Sequence, residues 1–581
     1  MDNYRTMRNV YKIADNILSP LGNGTEENYQ AMLSGRSALA RYERHWDMPE
    51  PFCASLFSPA ADHEYAIEGL TRFESLVVHS VRQALEGVDI DVSGSNLVFI
   101  LSTTKANVGL LGRETSDPGL LYPGESALHI CQALGITTPP IVVCNACISG
   151  VSAIILGSRL LRTHQYDYAI VCGADEMNEF VVSGFQSLKA LSDQPCKPFD
   201  MERTGLNLGE AAATMILSTH RGDSGAIWRI DRCSMHNDAY HISAPSKRGD
   251  GAYLCLSDVV TGIPHEEIAF VNAHGTATLF NDQMESVAIE RAGLQEKPVN
   301  ALKGYFGHTL GAAGVLETLL SMYSIDHHTL LGTRGFEELG VSGKIHIQSE
   351  HEPIDQPRFV KMISGFGGSN AALSASRVNA ELGVPSNEPS SIRPEWTTTH
   401  CVYISTQGIR IDNEPLHSER TGADLLTSLY KEEVGDYPKF YKMDMLSRLG
   451  FLAAELLAKK EREGQEEQDE QRAIVLFNHS SSLHTDRLYL DTIKDKSDYF
   501  PSPSLFVYTL PNIVTGEIAI RHHYQGETSF YILAERDERL MDQVVRATLC
   551  TTSTASMMTG WLDYDDADHF EAELRIIRKT N

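Results

Sequence analysis

One cysteine stands where a buried strand gives way to a helix. Cys147 follows the apolar run 141–143 and precedes a helical pattern over residues 151–161. Backbone amides at a helix start point outward, and the positive end of the helix dipole favours a thiolate, so this position suits a nucleophilic thiol. The alternative is an inert core cysteine, because cysteines in apolar runs are commonly just buried.

Cys144 and Cys147 also form a CxxC pair, which is typical of redox motifs and of half a zinc site. A zinc site needs two further ligands, and the sequence holds no second CxxC and no HxxxH. We therefore expect Cys144 to be buried in the strand, and we expect no metal.

Two histidines lie in turns of small residues. His274 ends a β-branched strand in VNAHGTATLF, and His308 precedes a helix that opens with glycine and alanine in KGYFGHTLGAAGVLET. The ends of strands are where α/β proteins display catalytic groups. A helix of small residues can pack closely on the helix after Cys147, which would bring Cys147 and His308 together. Each histidine taken alone is as well explained by a structural role.

The segment ISGFGGSN, residues 363–370, surrounds Phe366 with three glycines. Glycine relaxes the backbone, so this segment is either a loop with one bulky plug or a plain turn.

The elements that must position these groups alternate along the chain. Residues 96–101, 141–143 and 168–171 are predicted strands, and residues 71–85, 151–161 and 311–323 are predicted helices. This alternation favours a layered α/β fold. Three prolines and three serines in residues 381–396 predict a linker, after which strands (401–405, 473–477) and helices (446–459, 538–549) resume.

The ordered set of Cys147, HGTAT, KGYFGHTLGAAG and GFGG resembles the β-ketoacyl-acyl-carrier-protein synthases of the elongating class, which have the thiolase fold. The resemblance covers nearly all of residues 1–380, including residues 19–39 and 197–217. Thiolases complete their site with a second cysteine, and initiating synthases use Cys, His and Asn. The Cys-His-His pattern here implies a malonyl-type extender. Ser364, Ala277 and Lys105 depart from the family pattern, and none of them removes a catalytic atom.

The resemblance implies a decarboxylative Claisen condensation of an acyl-Cys147 intermediate with a malonyl-loaded acyl carrier protein, in fatty acid, polyene or polyketide synthesis. The resemblance implies that Cys147 is the nucleophile and that the backbone N–H groups of Cys147 and Phe366 form an oxyanion hole. It implies that His274 and His308 stabilise the enolate and that Lys303 and Glu317 form a supporting network. It also implies that Thr276 and Thr278 contact the phosphopantetheine arm. No bound cofactor is expected, because the carrier brings the arm. The alternative is an interaction subunit similar to chain-length factors.

The resemblance also divides the chain: residues 1–225 and 226–380 are the two synthase halves, 381–399 the linker, and 400–581 an extra domain. The extra domain is interpreted as an inactive thiolase-like half, because residues 473–481 echo residues 96–104 and the stretch ILAERD stands where Cys147 should recur. The alternative is that residues 400–581 form an unrelated α/β domain. An unpaired half must cover its apolar face on another copy, on the first domain or on a partner. A homodimer through the first domain is also expected.

The composition of the chain limits the kinds of partner that we expect it to bind. The 581 residues carry a net charge of −28, which argues against nucleic acid or an anionic membrane as the main partner. A local basic patch would have to receive an acidic carrier, and Arg159, Arg162 and Lys361 are candidates because they lie near the motifs. Ten cysteines in a chain of this length predict free thiols, and together with the absence of an export signal they favour a cytoplasmic protein.

Overall fold

The computed structural model describes residues 7–114, 117–221, 227–378, 395–418, 420–465 and 469–580. Most of the predicted linker lies outside these residues. No helix among them is long and apolar enough to cross a bilayer. We call residues 7–221 unit 1, residues 227–378 unit 2 and residues 395–580 unit 3.

Unit 1 contains a central sheet and the helices that cover it. Its strands are β1 (Tyr11–Ser19), β2 (Gly22–Asn23), β3 (Ala40–Tyr42), β4 (Phe52–Ser55), β5 (Leu97–Ser102), β6 (Ile141–Val143), β7 (Tyr168–Asp175), β8 (Leu208–Gly209) and β9 (Ala211–Ser218). Its helices are α1 (Thr25–Leu33), α2 (Pro59–Tyr65), α3 (Arg72–Leu85), α4 (Pro123–Leu134), α5 (Ser149–Arg162) and α6 (Glu179–Ser187).

Unit 2 repeats this construction. Its strands are β10 (Trp228–Asn237), β11 (Ile268–Asn272), β12 (Pro298–Asn300), β13 (Thr329–Leu330), β14 (His346–Ile347), β15 (Glu352–Pro353), β16 (Arg358–Gly365) and β17 (Ser369–Arg377). Its helices are α7 (Asp250–Val260), α8 (Leu279–Arg291), α9 (Lys303–Phe306) and α10 (Ala313–Asp326).

Unit 3 is a third α/β element. Its strands are β18 (Glu395–Ser405), β19 (Gly408–Ile411), β20 (Glu414–Leu416), β21 (Ala473–Asn478), β22 (Thr528–Ile532), β23 (Ser556–Tyr564) and β24 (Phe570–Thr580). Its helices are α11 (Gly422–Glu433), α12 (Met445–Glu463), α13 (Leu483–Asp491), α14 (Pro503–Tyr508), α15 (Ile513–His522) and α16 (Glu538–Thr551).

The three units share one strand order. Unit 1 runs β1-β9-β7-β5-β6, with the first two pairings antiparallel and the last two parallel. Unit 2 runs β10-β17-β16-β11-β12 with the same senses. Unit 3 runs β18-β24-β23-β21-β22, again with the same senses. The predicted layered α/β fold with an extra thiolase-like half is therefore confirmed.

Units 1 and 2 stack as five layers. Helix α3 covers one sheet from outside, α5 and α10 lie between the two sheets, and α7 covers the second sheet. The two central helices meet without intervening side chains: a Cβ on Gly150 would lie 2.8 Å from the Cα of Gly314. This contact is why small residues follow both Cys147 and His308, and it sets how far apart those two residues lie.

Unit 3 packs on unit 1 of its own chain. Strand β22 pairs antiparallel with β6, so that Tyr531 lies opposite Val143 and the two sheets become one continuous sheet. Helices α5 and α16, which occupy corresponding places in the two units, pack on each other. Of the three ways in which the extra half could cover its apolar face, the structure shows packing on the first domain.

A buried ion pair fastens this interface. Arg159 on α5 donates to both carboxylate oxygens of Glu527 at 2.8 and 2.7 Å. Arg159 is 3% exposed, so it cannot belong to the surface basic patch that its sequence position suggested.

We expect Glu527→Gln to lower the free energy of unfolding by about 3 kcal/mol, because it leaves the Arg159 charge buried without a counter-ion. Urea unfolding followed by circular dichroism measures the loss. The double variant Arg159→Met with Glu527→Leu is the control, since it removes both charges and should recover most of the stability. A loss below about 1 kcal/mol in Glu527→Gln would contradict this account.

Candidate active site

Cys147 lies at a sharp turn between β6 and α5. Ala146, the residue before it, adopts a left-handed backbone with φ of 49°, and residues 146–148 form one tight helical turn before α5 begins. A non-glycine residue held in this region marks local strain, which a functional turn can require. Cys147 lines a cavity of about 430 Å³, whereas Cys144 is 1% exposed and points at the Thr104 carbonyl.

His274 follows the end of β11 and is held through its backbone. Its N–H donates to Glu285 at 2.7 Å, and its carbonyl accepts from Lys303 Nζ at 2.6 Å. Glu285 lies on α8 and also accepts from the Gly275 N–H. Sequence reasoning missed Glu285, because a buried carboxylate that binds backbone cannot be told from a surface one by type alone.

His308 precedes α10, and its backbone N–H donates to the Asn207 carbonyl at 2.7 Å. The Leu310 N–H donates to His308 Nδ1 at 3.2 Å. Nδ1 is therefore the acceptor, and the ring proton is on Nε2. His308 Nε2 has no hydrogen-bond partner among the described residues, and it is buried. It is available as a donor to a bound molecule.

The three side chains converge on one point. The sulfur of Cys147 and one ring nitrogen each of His274 and His308 lie within 4.8 Å of one another. The two imidazoles are nearly perpendicular, with centroids 4.9 Å apart. These distances would suit a metal ion, but two buried ammonium groups stand behind the histidines and oppose a divalent cation.

Those ammonium groups belong to Lys303 and Lys361, and both bind Glu317. Lys303 Nζ donates to Glu317 Oε1 at 2.6 Å, and Lys361 Nζ donates to Oε2. Lys303, Lys361 and Glu317 are all essentially unexposed. Lys361 is therefore part of the buried site and not of a surface patch. Arg162, the remaining patch candidate, directs its guanidinium inward onto the Ile230 carbonyl.

The network keeps the histidines uncharged. Burial, with Lys303, His308 and Lys361 beside it, holds the pKa of His274 well below its usual value. Burial, Lys303 and Lys361 do the same to the pKa of His308. Sequence reasoning found Lys303 and Glu317 by resemblance but misplaced Lys361, because its motif context gave no sign of which way the side chain points.

Burial dominates at the nucleophile as well. It raises the pKa of the Cys147 thiol to about 12, although Lys303 and the backbone N–H groups of Cys147 and Phe366 act in the opposite sense. The helix start was expected to favour a thiolate, but burial outweighs it and Cys147 is a thiol at neutral pH. The two N–H groups that lower the pKa of this thiol are the pair predicted for the oxyanion hole.

Thr276 and Thr278 also line the cavity, and their hydroxyls are 2.8 Å apart. Lys105, one of the departures from the family pattern, leaves unit 1 and pairs with Asp486 of unit 3 at 2.7 Å. Asp175 holds the segment before Lys105 through Thr103 and Thr104. The pattern of the sequence contains no signal for these contacts, since they join distant parts of the chain.

Cys147 should be the first cysteine to react with iodoacetamide in a Cys401→Ser variant. Seven cysteines are buried, and Cys147, Cys233 and Cys401 are partly exposed. Of the ten, Cys147 is the one that lines the cavity, and Cys401→Ser removes a competitor in unit 3. The rate should rise with pH throughout the alkaline range, because burial raises the thiol pKa. Peptide mapping by mass spectrometry identifies the labelled residue, and preferential labelling of Cys144 would support the redox interpretation instead.

Comparison with known proteins follows the same division of the chain. Residues 123–222 match the model of the beta-ketoacyl synthase N-terminal domain, and residues 228–337 match that of the C-terminal domain. A 3-oxoacyl-[acyl-carrier-protein] synthase 2 from Vibrio cholerae is 27% identical over 64% of this chain and 99% of its own length. The ketosynthase ApeO, solved in complex with its chain length factor ApeC from Xenorhabdus doucetiae, is 25% identical with a TM-score of 0.56, over 64% of this chain and 98% of that chain.

A solved structure titled PfaC keto synthase-chain length factor extends the likeness to unit 3. It covers 99% of this chain and 78% of that chain with a TM-score of 0.77, and at 15% identity it shows the fold alone. Together with the curated relatives and the two domain matches, the site geometry leads to one conclusion. The chain resembles the β-ketoacyl-acyl-carrier-protein synthases, and it is a transferase of the condensing-enzyme type.

Proposed function

We propose that this chain is a β-ketoacyl-acyl-carrier-protein synthase that condenses an acyl group on Cys147 with a malonyl unit, in fatty acid, polyene or polyketide synthesis. The observation that carries the proposal is the convergence of one thiol and two neutral imidazoles within 4.8 Å on the same cavity. A chain-length-factor-like interaction subunit with little condensing activity of its own is the alternative. The complete triad in units 1 and 2 supports the active enzyme.

The first half-reaction is acyl transfer. Cys147 Sγ attacks the thioester carbonyl carbon of the acyl carrier, the new C–S bond forms, and the carrier's thiol leaves with the proton that Cys147 gives up. The carbonyl oxygen gains negative charge during attack, and the N–H groups of Cys147 and Phe366 are placed to stabilise it. Because the resting thiol pKa is high, the proton must move during the attack.

The second half-reaction is decarboxylation and condensation. A malonyl thioester enters, its terminal C–C bond breaks to release CO2, and the electron pair forms an enolate. The enolate carbon attacks the acyl-Cys147 carbonyl carbon. As the new C–C bond forms, the C–S bond to Cys147 breaks, so the β-ketoacyl chain stays on the carrier and the Cys147 sulfur takes up a proton from solvent. His308 donates from Nε2, since Nδ1 is occupied by the Leu310 N–H, and His274 provides the second contact to the enolate oxygen. Neutral imidazoles suit this step, because an imidazolium would hold the malonyl carboxylate as an ion pair and oppose loss of its charge.

The carrier reaches the site through the cavity mouth. Leu279 and Phe280 are 60% and 75% exposed there, and Lys189 is exposed beside them. Lys247 and Arg248 are exposed two and three residues beyond the cavity-lining Pro245. We propose this apolar and basic rim as the landing surface of an acidic acyl carrier protein, in place of the inward-pointing candidates Arg159, Arg162 and Lys361. The phosphopantetheine arm would then pass Thr276 and Thr278.

The expected homodimer needs revision in one respect. The outer edge of β6 pairs with β22 of the same chain, so a second copy would have to bind through another face.

A cytoplasmic location remains our proposal, and it is supported by ten cysteines that form no disulfide.

Variants of the triad should separate the half-reactions. Cys147→Ala should lower condensation by about 10⁴-fold or more while malonyl decarboxylation continues. His274→Ala and His308→Ala should still accept an acyl group on Cys147, but decarboxylation should fall by about 10²- to 10³-fold. Mass spectrometry of the acyl group on Cys147 and release of ¹⁴CO2 from malonyl-loaded carrier measure the two steps. Elongation by Cys147→Ala, or histidine variants that lose acylation alone, would refute the assignment.

Lys361→Met should move the acidic limb of the pH–rate profile for decarboxylation to higher pH. Lys361 lowers the pKa of both histidines, so its loss lets them protonate at a higher pH. The double variant Lys361→Met with Glu317→Gln is the matched control: it leaves Lys303 as the one charge of the trio and restores the net +1 of the wild type. Its acidic limb should return toward the wild-type position. An unmoved limb in the single variant would show that Lys361 does not act on the histidines.

A further inference from the structure

Asn512 of unit 3 contacts the loop that carries Phe366. Asn512 precedes α15, and its Nδ2 donates to the carbonyl oxygen of Phe366 at 2.9 Å. The same turn of chain supports the next residue of the loop, since a Cβ on Gly516 would lie 2.5 Å from the Gly367 oxygen. The loop that carries the second oxyanion donor therefore rests on unit 3.

The carboxamide of Asn512 is committed to this contact. Asn512 is 1% exposed, and its Oδ1 has no hydrogen-bond partner among the described residues. Its backbone carbonyl accepts from the Thr515 hydroxyl at 2.7 Å, which fixes the start of α15. A buried amide oxygen without a hydrogen-bond partner costs free energy. The hydrogen bond from Asn512 Nδ2 to the Phe366 carbonyl is the contact of this side chain that offsets the cost.

Unit 2 holds the other side of the loop. The Gly367 N–H donates to the Ile242 carbonyl at 2.6 Å, and Asn237 Nδ2 donates to the Gly367 carbonyl at 2.8 Å. Gly367 and Gly368 have φ of 88° and 71°, so the loop has a backbone that would otherwise be free to change conformation. The Phe366 carbonyl is the point at which Asn512 restrains it.

We propose that Asn512, backed by Gly516, is a positioning residue for acyl transfer: by holding the Phe366 carbonyl it fixes the backbone so that the Phe366 N–H faces the sulfur of Cys147. The extra half-domain then completes the condensing site of its own chain. This inference rests on the proposed function, in which the Phe366 N–H stabilises the oxyanion. Decarboxylation depends on His274 and His308 and does not use this donor.

The first test compares the two half-reactions. Asn512→Asp keeps the shape but loses the donor, and Gly516→Ala presses on the same loop. Transfer of a hexanoyl group from hexanoyl-pantetheine to Cys147 should fall by about tenfold to a hundredfold in both variants. Malonyl-pantetheine decarboxylation, measured in a Cys147→Ala background, should stay within about twofold, because the histidines are untouched.

Arg521→Ala is the matched control. Arg521 lies on the same helix α15 but pairs with Glu455, away from the loop. It should leave acyl transfer unchanged while costing comparable stability. Equal loss of both half-reactions in Asn512→Asp, an unchanged acyl transfer, or the same loss in Arg521→Ala would overturn the proposal in favour of a merely structural contact.

A second test needs no acyl substrate. The Phe366 N–H lowers the Cys147 thiol pKa, so Asn512→Ala in the Cys401→Ser background should shift the pH profile of iodoacetamide alkylation at Cys147 upward. If the wild-type chain accepts no acyl group, the proposed function fails, and the alkylation profile still decides whether Asn512 positions the loop. An unshifted profile would overturn the inference.

Discussion

The active site of this molecule depends on the antiparallel pairing of β6 with β22. Strand β6 ends just before the nucleophile, and an unpaired edge there would leave backbone N–H and C=O groups unsatisfied beside the active site. The pairing continues past the strand, since the Cys144 N–H donates to the Phe530 carbonyl and the Phe530 N–H donates to Asn145 Oδ1. The turn that presents Cys147 is therefore supported by two units at once.

The active site depends on how a buried excess of positive charge is held. Two lysines share one carboxylate, Glu317, so these three groups together carry one net positive charge behind the histidines. In a low-dielectric interior this charge disfavours an imidazolium, and the histidines stay neutral donors. The same burial keeps Cys147 protonated at rest, which couples the release of its proton to the attack on the thioester.

Three copies of one strand order serve different purposes in this chain. Units 1 and 2 face each other across α5 and α10 and supply the thiol and the imidazoles. Unit 3 has LAERD between β22 and α16, where unit 1 has its cysteine turn, so it keeps the scaffold without the nucleophile. Its contribution to chemistry in our proposal is a hydrogen bond from Asn512 to a backbone carbonyl, a role that needs no reactive side chain.

The sequence by itself determined the local elements and the identity of the chemical groups. Apolar runs such as 97–102 become strands because every residue in them is buried, and the motifs around Cys147, His274 and His308 supply a thiol and two imidazoles by residue type alone. The tertiary structure alone decided where long side chains point and which distant segments meet. Lys361 and Arg159 turned inward to buried carboxylates, and Asn512 met Phe366 across more than a hundred residues of chain, because such contacts arise from packing between units and leave no periodic trace in the sequence.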